Sequence, residues 1–371
     1  MELAVTEEQA ELRAALRRFF TDKAPSATVR KLMETEAGYD TAVWAQMGEQ
    51  LGLQGLAIPE EHGGAGFGFA ELAVVFEEMG RTLFPSPFLA SAVLAPQALL
   101  ASTDASACAD LLPGIADGST VATVAFCERD GRWDGSDIQA AARPSGEDWI
   151  LDGVKHYVLD GHVADLVLVF ARTELGLSLF AVDGTAPGVA RTPLPTLDQT
   201  RRLARVTLEG APGRLVGSEG TGLAVLRRVV DLASVVLAAE ALGGAQRCLD
   251  LSVEYAKVRR QFGRPIGSFQ AIKHKCADLL TLVESSRSAA MYAARVADQE
   301  PEALASAASL AKSYCADAFF TAAGEAIQIH GGIGFTWEHD AHLFFKRAKS
   351  SQLLFGTPAL HRDRLAASLG I

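Results

Sequence analysis

Apolar residues in the opening stretch fall at helical spacing. Leu12, Leu16, Phe19 and Phe20 share one helical face, and Thr6 with Gln9 three residues later has the form of a capping box at its start. The same period predicts helices over 41–51, 68–80 and 90–100. Residues 58–64 read as a loop that turns at Gly63 and Gly64. Near Ser119 the period changes. Short β-branched or alternating runs at 121–126, 149–151, 166–170, 177–182 and 204–208 predict strands. Asp130-Gly131, Ser145-Gly146, Asp152-Gly153 and Asp183-Gly184 punctuate them as turns, so these strands form an antiparallel β-domain rather than βαβ units. From Gly222 onward the helical period returns over 223–258, 268–298 and 301–329, lengths that suit a four-helix bundle with oligomeric contacts.

The expected order is therefore α, then β, then α, an α+β fold. It comprises an N-terminal α-helical domain at 1–117, a β-domain at 118–215 and a C-terminal helical bundle at 216–371.

Composition narrows the picture. The chain has 371 residues, 49% hydrophobic and 21% charged, enough apolar material for a sizeable core. A net charge of −11 without a basic run argues against a nucleic-acid partner. The apolar windows at 86–101 and 223–242 are interrupted by Pro96 and by Arg227, Arg228, Asp231 and Glu240, so neither is expected to span a bilayer. Five scattered cysteines, none in a C-x-x-C pair, fit a reducing cytoplasm better than a disulfide or zinc framework. The acidic, helix-starting N-terminus is not expected to be a secretory signal.

Several chemistries drop out. No G-x-S-x-G elbow and no Gly-Lys dipeptide occurs, and the glycines at 63, 64, 66 and 68 open no βαβ unit. Glu338, His339, Asp340 and His342 are ligand types, but one short segment does not readily close a coordination shell, and a solvated helix start reads better. No metal is expected.

Two segments carry more. In Arg259-Arg260-Gln261-Phe262-Gly263, followed by Gln270, an arginine fork for phosphate ends a long helix and a glutamine opens the next. A hairpin turn with a dipole-complementing arginine accounts for the same residues equally well. In Gln328-Ile329-His330-Gly331-Gly332-Ile333-Gly334-Phe335 the glycines free backbone N–H groups for a pyrophosphate, or simply cap a helix.

Taken in order, R-x-Q-F-G with its downstream Phe269-Gln270, Q-x-x-G-G-x-G-F and the Phe355-Gly356-Thr357 element resemble the acyl-CoA dehydrogenase family. The resemblance extends to the T-E-E-Q opening, the I-P-E-E-H-G-G-A-G loop at 58–66, V-A-F-C-E at 124–128 and L-D-G-V-K-H-Y-V at 151–158. It implies FAD lying between the β-domain and the bundle and completed by a neighbouring subunit. Arg259, Phe262, Gln270, Gln328, Gly331, Gly332 and Thr357 match cofactor-binding positions, as do Glu128, Tyr157 and Leu159 on the β-domain; Ser136 and Phe355 match substrate-binding positions.

The departures matter as much. Leu354-Phe355 stand where the family carries Tyr-Glu with its catalytic base, and the alternative base position and its arginine are Ala233 and Ser234. Asp231 is about 200° around the helix from its neighbour two residues on and reads as structural. Tyr157-Val158-Leu159 replace a W-I-T segment whose threonine addresses the flavin, and the turn at 127–137 is longer and lacks the family's proline. The resemblance therefore implies one of three things. The chain is an FAD-dependent acyl-CoA dehydrogenase passing electrons to an electron-transfer flavoprotein, with an unrecognised carboxylate as its base. Or it is a non-catalytic subunit beside a base-bearing paralogue, as in steroid or side-chain breakdown. Or it is a CoA-thioester binding protein. The assembly would be a homotetramer or an α2β2 heterotetramer.

Overall fold

The computed structural model describes residues 6–146 and 148–371. The chain opens with α1 (Glu7–Lys23), α2 (Ser26–Met33), α3 (Thr41–Glu49), α4 (Phe69–Thr82), α5 (Ala95–Ser102) and α6 (Ala105–Ala116). The capping box forms: Gln9 N–H donates to Thr6 Oγ1 at 3.2 Å and Thr6 N–H to Gln9 Oε1 at 3.3 Å. The helix expected over 90–100 is wound in two ways. Leu89–Leu94 is a π-helix that runs into α5, where Pro96 sits in the first turn and its missing N–H costs little.

Strands follow as β1 (Ala122–Ala125), β2 (Ala141–Ser145), β3 (Asp148–Leu159), β4 (Leu166–Thr173), β5 (Gly176–Asp183), β6 (Val189–Pro193) and β7 (Leu203–Val216). Pairing runs β4-β2-β3-β7-β5 and returns from β5 to β4, so the sheet closes on itself, with β1 added on β4 and β6 on β7. Closure removes the unpaired edges that an open sheet would leave. The expected antiparallel pattern holds except at β4, which runs parallel to both β1 and β2. Periodicity reports which face is buried, not strand direction, so this was beyond its reach. β2 and β6 also escaped it, because Arg143-Pro144 and Arg191-Thr192-Pro193 break the apolar alternation. The interior is filled by Leu151, Val167, Val169, Phe180, Val206 and Leu208.

The C-terminal part comprises α7 (Gly222–Val258), the small hairpin β8 (Arg260–Gln261) and β9 (Arg264–Pro265), then α8 (Gln270–Gln299), α9 (Leu304–His330), α10 (Ala341–Leu353) and α11 (Pro358–Ser368). α9 packs against α8, α10 and α11.

By internal contact the described residues form two compact units. One takes the chain up to Lys31, Phe69–Phe84 and Ser234–Ile371; the other takes Leu32–Gly68 and Pro85–Ala233. In the bundle unit α4 and α7 cross backbone to backbone: a Cβ on Gly80 would collide with the Glu240 carbonyl, and one on Gly243 with that of Glu77. Charges brought inside this crossing are paired. Glu77 accepts from Arg13 at 2.9 Å and Arg287 at 2.6 Å, Arg17 forks onto Glu78 at 2.9 and 2.7 Å, and Arg347 meets Glu240 at 2.6 Å. Among the described residues no helix is long and apolar enough to cross a membrane.

Candidate functional site

In the bundle unit, the α7–α8 connection is a tight hairpin. Arg259 N–H donates to the Tyr255 carbonyl, and the Arg259 carbonyl accepts from Ile266 N–H, both at 2.8 Å. The Arg259 side chain is exposed, and among the described residues its guanidinium makes no hydrogen bond or ion pair. Phe262 sits at the tip with a left-handed φ of 52° and is 92% exposed, its ring edge-on to Phe269 at 6.2 Å. A non-glycine residue in that conformation costs roughly 1–3 kcal/mol, and the exposed ring has only its edge contact with Phe269 to set against that. Gln270, opening α8, and Gln328, near the end of α9, are likewise exposed.

Past Gln328, His330 is buried between the rings of Tyr255 and His339, at 4.4 and 4.2 Å, and donates through Nδ1 to the Ala326 carbonyl at 2.7 Å. Gly331 then turns at φ 62°, which requires glycine. Gly332 has no such backbone need, and a Cβ on either residue would meet nothing within 4 Å. Open backbone surface of this kind has the N–H donors a diphosphate needs.

The turn at 354–357 is different. Phe355 has φ 58° and is 1% exposed. Its carbonyl accepts from His361 Nε2 at 3.1 Å, and the buried Lys312 ammonium donates to the carbonyls of Ser351 at 2.7 Å and Gly356 at 3.2 Å. Burial, with Lys312 and Arg364 nearby, pushes His361 down to about 3, so it is neutral and the Nε2–H donor is fixed. Thr357 spends its hydroxyl capping α11, accepting from Leu360 N–H at 3.3 Å. Sequence reasoning missed Lys312 and His361. A lysine in the apolar run of α9 was the available signal.

In the other unit, one carboxylate closes the lengthened turn. Glu128 accepts from the backbone N–H groups of Gln139 and Ala140, each at 2.9 Å, and from Lys155 at 2.8 Å. Lys155 is 0% exposed and also donates to the Phe126 carbonyl at 3.3 Å. Burial pulls Lys155 down to about 8 against the attraction of Glu128. Desolvation opposes ionisation of Glu128 too, yet Lys155 and the two backbone donors hold its carboxyl below the usual range. The Glu128 carboxylate is therefore committed to the loop it ties. Burial pushes the neighbouring Cys127 thiol up to about 12, so it is not a nucleophile.

Within that loop Ser136 donates to Asp134 Oδ1 at 2.7 Å and remains exposed. Both oxygens of Asp137 are buried without a hydrogen-bond partner among the described residues. In β3 a register shift between Lys155 and Val158 lets Tyr157 adopt φ 57° and point outward, while Val158 enters the sheet interior and Leu159 is buried. The Leu159 carbonyl accepts from Thr123 Oγ1 at 2.5 Å. Leu159 thus presents no polar side chain where the resemblance places a flavin-facing threonine. Ala233, at the alternative base position, is buried in α7, and Asp231 is buried with a partner of its own.

The acidic and histidine cluster after Phe335 is occupied structurally. Asp340 accepts from Ser26 at 2.6 Å and Arg30 at 2.7 Å, and His339 Nδ1 accepts from Ala341 N–H at 3.1 Å. Among the described residues no group of three or more His, Cys, Asp or Glu is placed to hold a metal ion.

Comparison with known proteins agrees along the chain. The N-terminal, middle and C-terminal domain models of acyl-CoA dehydrogenases match residues 6–119, 123–209 and 220–370. Acyl-CoA dehydrogenase IpdE2 of Mycobacterium tuberculosis is 39% identical, covering 95% of this chain and 94% of its own. Among solved structures, a variant of the Tcur3481-Tcur3483 steroid ACAD is 32% identical with a TM-score of 0.88, covering 98% of each chain. The ChsE4-ChsE5 complex from Mycobacterium tuberculosis is 29% identical with a TM-score of 0.90, covering 100% of this chain and 99% of that one.

Proposed function

Because the chain belongs to the acyl-CoA dehydrogenase family, an oxidoreductase family, we propose that it is the base-less subunit of a heteromeric acyl-CoA dehydrogenase and completes an FAD site held mainly by a base-bearing paralogue. The complex would carry out α,β-dehydrogenation of an acyl-CoA thioester in the cytoplasm and pass the electrons to an electron-transfer flavoprotein. When bound, FAD supplies the hydride acceptor.

The observation that carries this reading is the contrast between two halves of the expected cofactor site. Arg259, Gln270, Gln328 and the backbone at Gly331 and Gly332 are exposed and unspent, and they fit the diphosphate and adenosine side of FAD. The ring side does not fit: Leu159 is core and the Glu128 carboxylate is consumed by the loop. A chain holding its own flavin needs both halves, whereas one completing a partner's site needs only the first.

The base positions argue the same way. Phe355 and Ala233 cannot take a proton, and the loss of a positioned base costs ~10²–10⁴ in rate. The Phe355 turn, held by Lys312 and His361, keeps a backbone N–H in place but no base.

The test is flavin stoichiometry in the complex copurified with its paralogue, for wild-type and Arg259→Ala chains. Losing a charge-assisted hydrogen bond should weaken FAD by roughly 1.5–3 kcal/mol. One tightly bound FAD per copy of this chain expressed alone, bleached by an acyl-CoA, would replace this reading with an ordinary homotetrameric dehydrogenase.

A further inference from the structure

The bundle unit contains a cavity of about 330 Å³ at the meeting of α1, α2, α4, α7 and α10. That lies at the lower end of the range for small-molecule sites. Nothing in the proposed function uses it. Its walls are amphipathic: Phe20, Leu251 and Phe344 supply apolar surface, and Arg17, Arg81 and Arg247 are among the charged groups.

Charge accounting separates one of these residues from the rest. Arg17 is committed to Glu78 through two hydrogen bonds at 2.9 and 2.7 Å. Arg81 is committed to Asp250 at 2.9 Å. Asp340 is neutralised by Arg30 at 2.7 Å and also takes Ser26, so the start of α2 already has its anion. Arg247 remains. Among the described residues its one ion pair, with Glu254, is 3.9 Å long and is not a hydrogen bond, and its side chain is 36% exposed. Arg247 and Leu251 are four residues apart on α7 and so share one helical face, a guanidinium beside an apolar wall.

We propose that this cavity binds a small amphipathic monocarboxylate, its head taken by the fork of Arg247 and its apolar body laid against Leu251, Phe344 and Phe20. Among the described residues one lining cation is uncommitted, which sets the ligand charge at one. The volume admits a small organic acid and not a CoA thioester, and the apolar wall selects against inorganic anions. The site would let the chain sense free acid.

Hexanoate, methyl hexanoate, acetate and phosphate serve as probes, titrated calorimetrically into the purified chain in its native assembly. Hexanoate should bind, methyl hexanoate and acetate at least tenfold more weakly, and phosphate no better than acetate. Arg247→Gln should weaken hexanoate by roughly tenfold to a hundredfold, the range of a charge-assisted contact. Leu251→Trp, which fills the cavity, should abolish hexanoate binding while the circular dichroism spectrum stays native. No heat with hexanoate, equal affinity in Arg247→Gln, or binding that survives Leu251→Trp would each overturn the proposal. Equal binding of phosphate would reduce the site to an exposed arginine and overturn it too. Neither variant touches the residues assigned to FAD, so failure here leaves the proposed function standing, and failure there leaves this site standing.

Discussion

Arg347→Met offers the most demanding test of the packing argument. Arg347 lies on α10 at 2% exposure, and its Nη1 sits 2.6 Å from Glu240 on α7, which is also buried. At an effective dielectric of ~20, unit charges at that separation attract by about 6 kcal/mol, and the cost of desolvating both consumes most of it. Removing the guanidinium takes from the buried Glu240 its 2.6 Å charge partner, so the expected loss is up to about 3–5 kcal/mol. That is a large share of the ~5–15 kcal/mol that holds a typical domain. The paired replacement Arg347→Met with Glu240→Leu should recover most of the loss, because neither charge then needs solvation. Urea denaturation at one fixed protein concentration, with both single variants and the double, yields the coupling energy directly. α10 also joins the Gly331–Phe335 turn to the Phe355 turn, so FAD retention in the assembled complex should fall together with stability. A cost below ~1 kcal/mol for Arg347→Met, or a double variant no better than the single, would refute the assignment of the pair as mutually compensating.

Further outcomes follow from single features. With Lys155 pulled down to about 8, the native chain gives up a proton that the unfolded chain keeps until its ordinary value near ~10.4, so this group adds stability as pH rises through that window. Buried thiols such as Cys127 act in the opposite sense, so the readout is the difference between wild type and Lys155→Met. That difference should change by on the order of 3 kcal/mol at most between pH ~7.5 and ~10, and a flat one would count against the buried ammonium. Gly243→Ala drives a methyl group into the Glu77 carbonyl and should lower the urea midpoint by at least the ~1–3 kcal/mol of overpacking; an unchanged midpoint would mean that α4 and α7 do not cross there. In native protein a thiol reagent should modify Cys276 first, since Cys108, Cys127, Cys248 and Cys315 are buried; mass mapping that finds Cys248 labelled as fast would contradict the packing of α7.

How far the sequence reached depended on the range of the interaction. Capping at Thr6 and Gln9, the period of α7, α8 and α9 and the buried runs of β4 and β5 are local signals, and they sufficed for the α, β, α order and for most elements. The motifs at 259–263 and 328–335 were legible because glycine and aromatic turns after helices are short-range patterns. Strand direction at β4, the closure of the sheet, and the polar strands β2 and β6 were not, because pairing partners lie far apart in sequence. The roles of side chains were decided last. Glu128 matched a cofactor-binding position, but folding brings Lys155 and two backbone donors to its carboxylate, and Val158 reaches the sheet interior only because a register shift between Lys155 and Val158 reverses the alternation of β3. Whether Arg259 is spent, or Arg347 compensated, depends on which charges packing places within reach. Residue type determines what a group can do, and tertiary contact determines whether it is still free to do it.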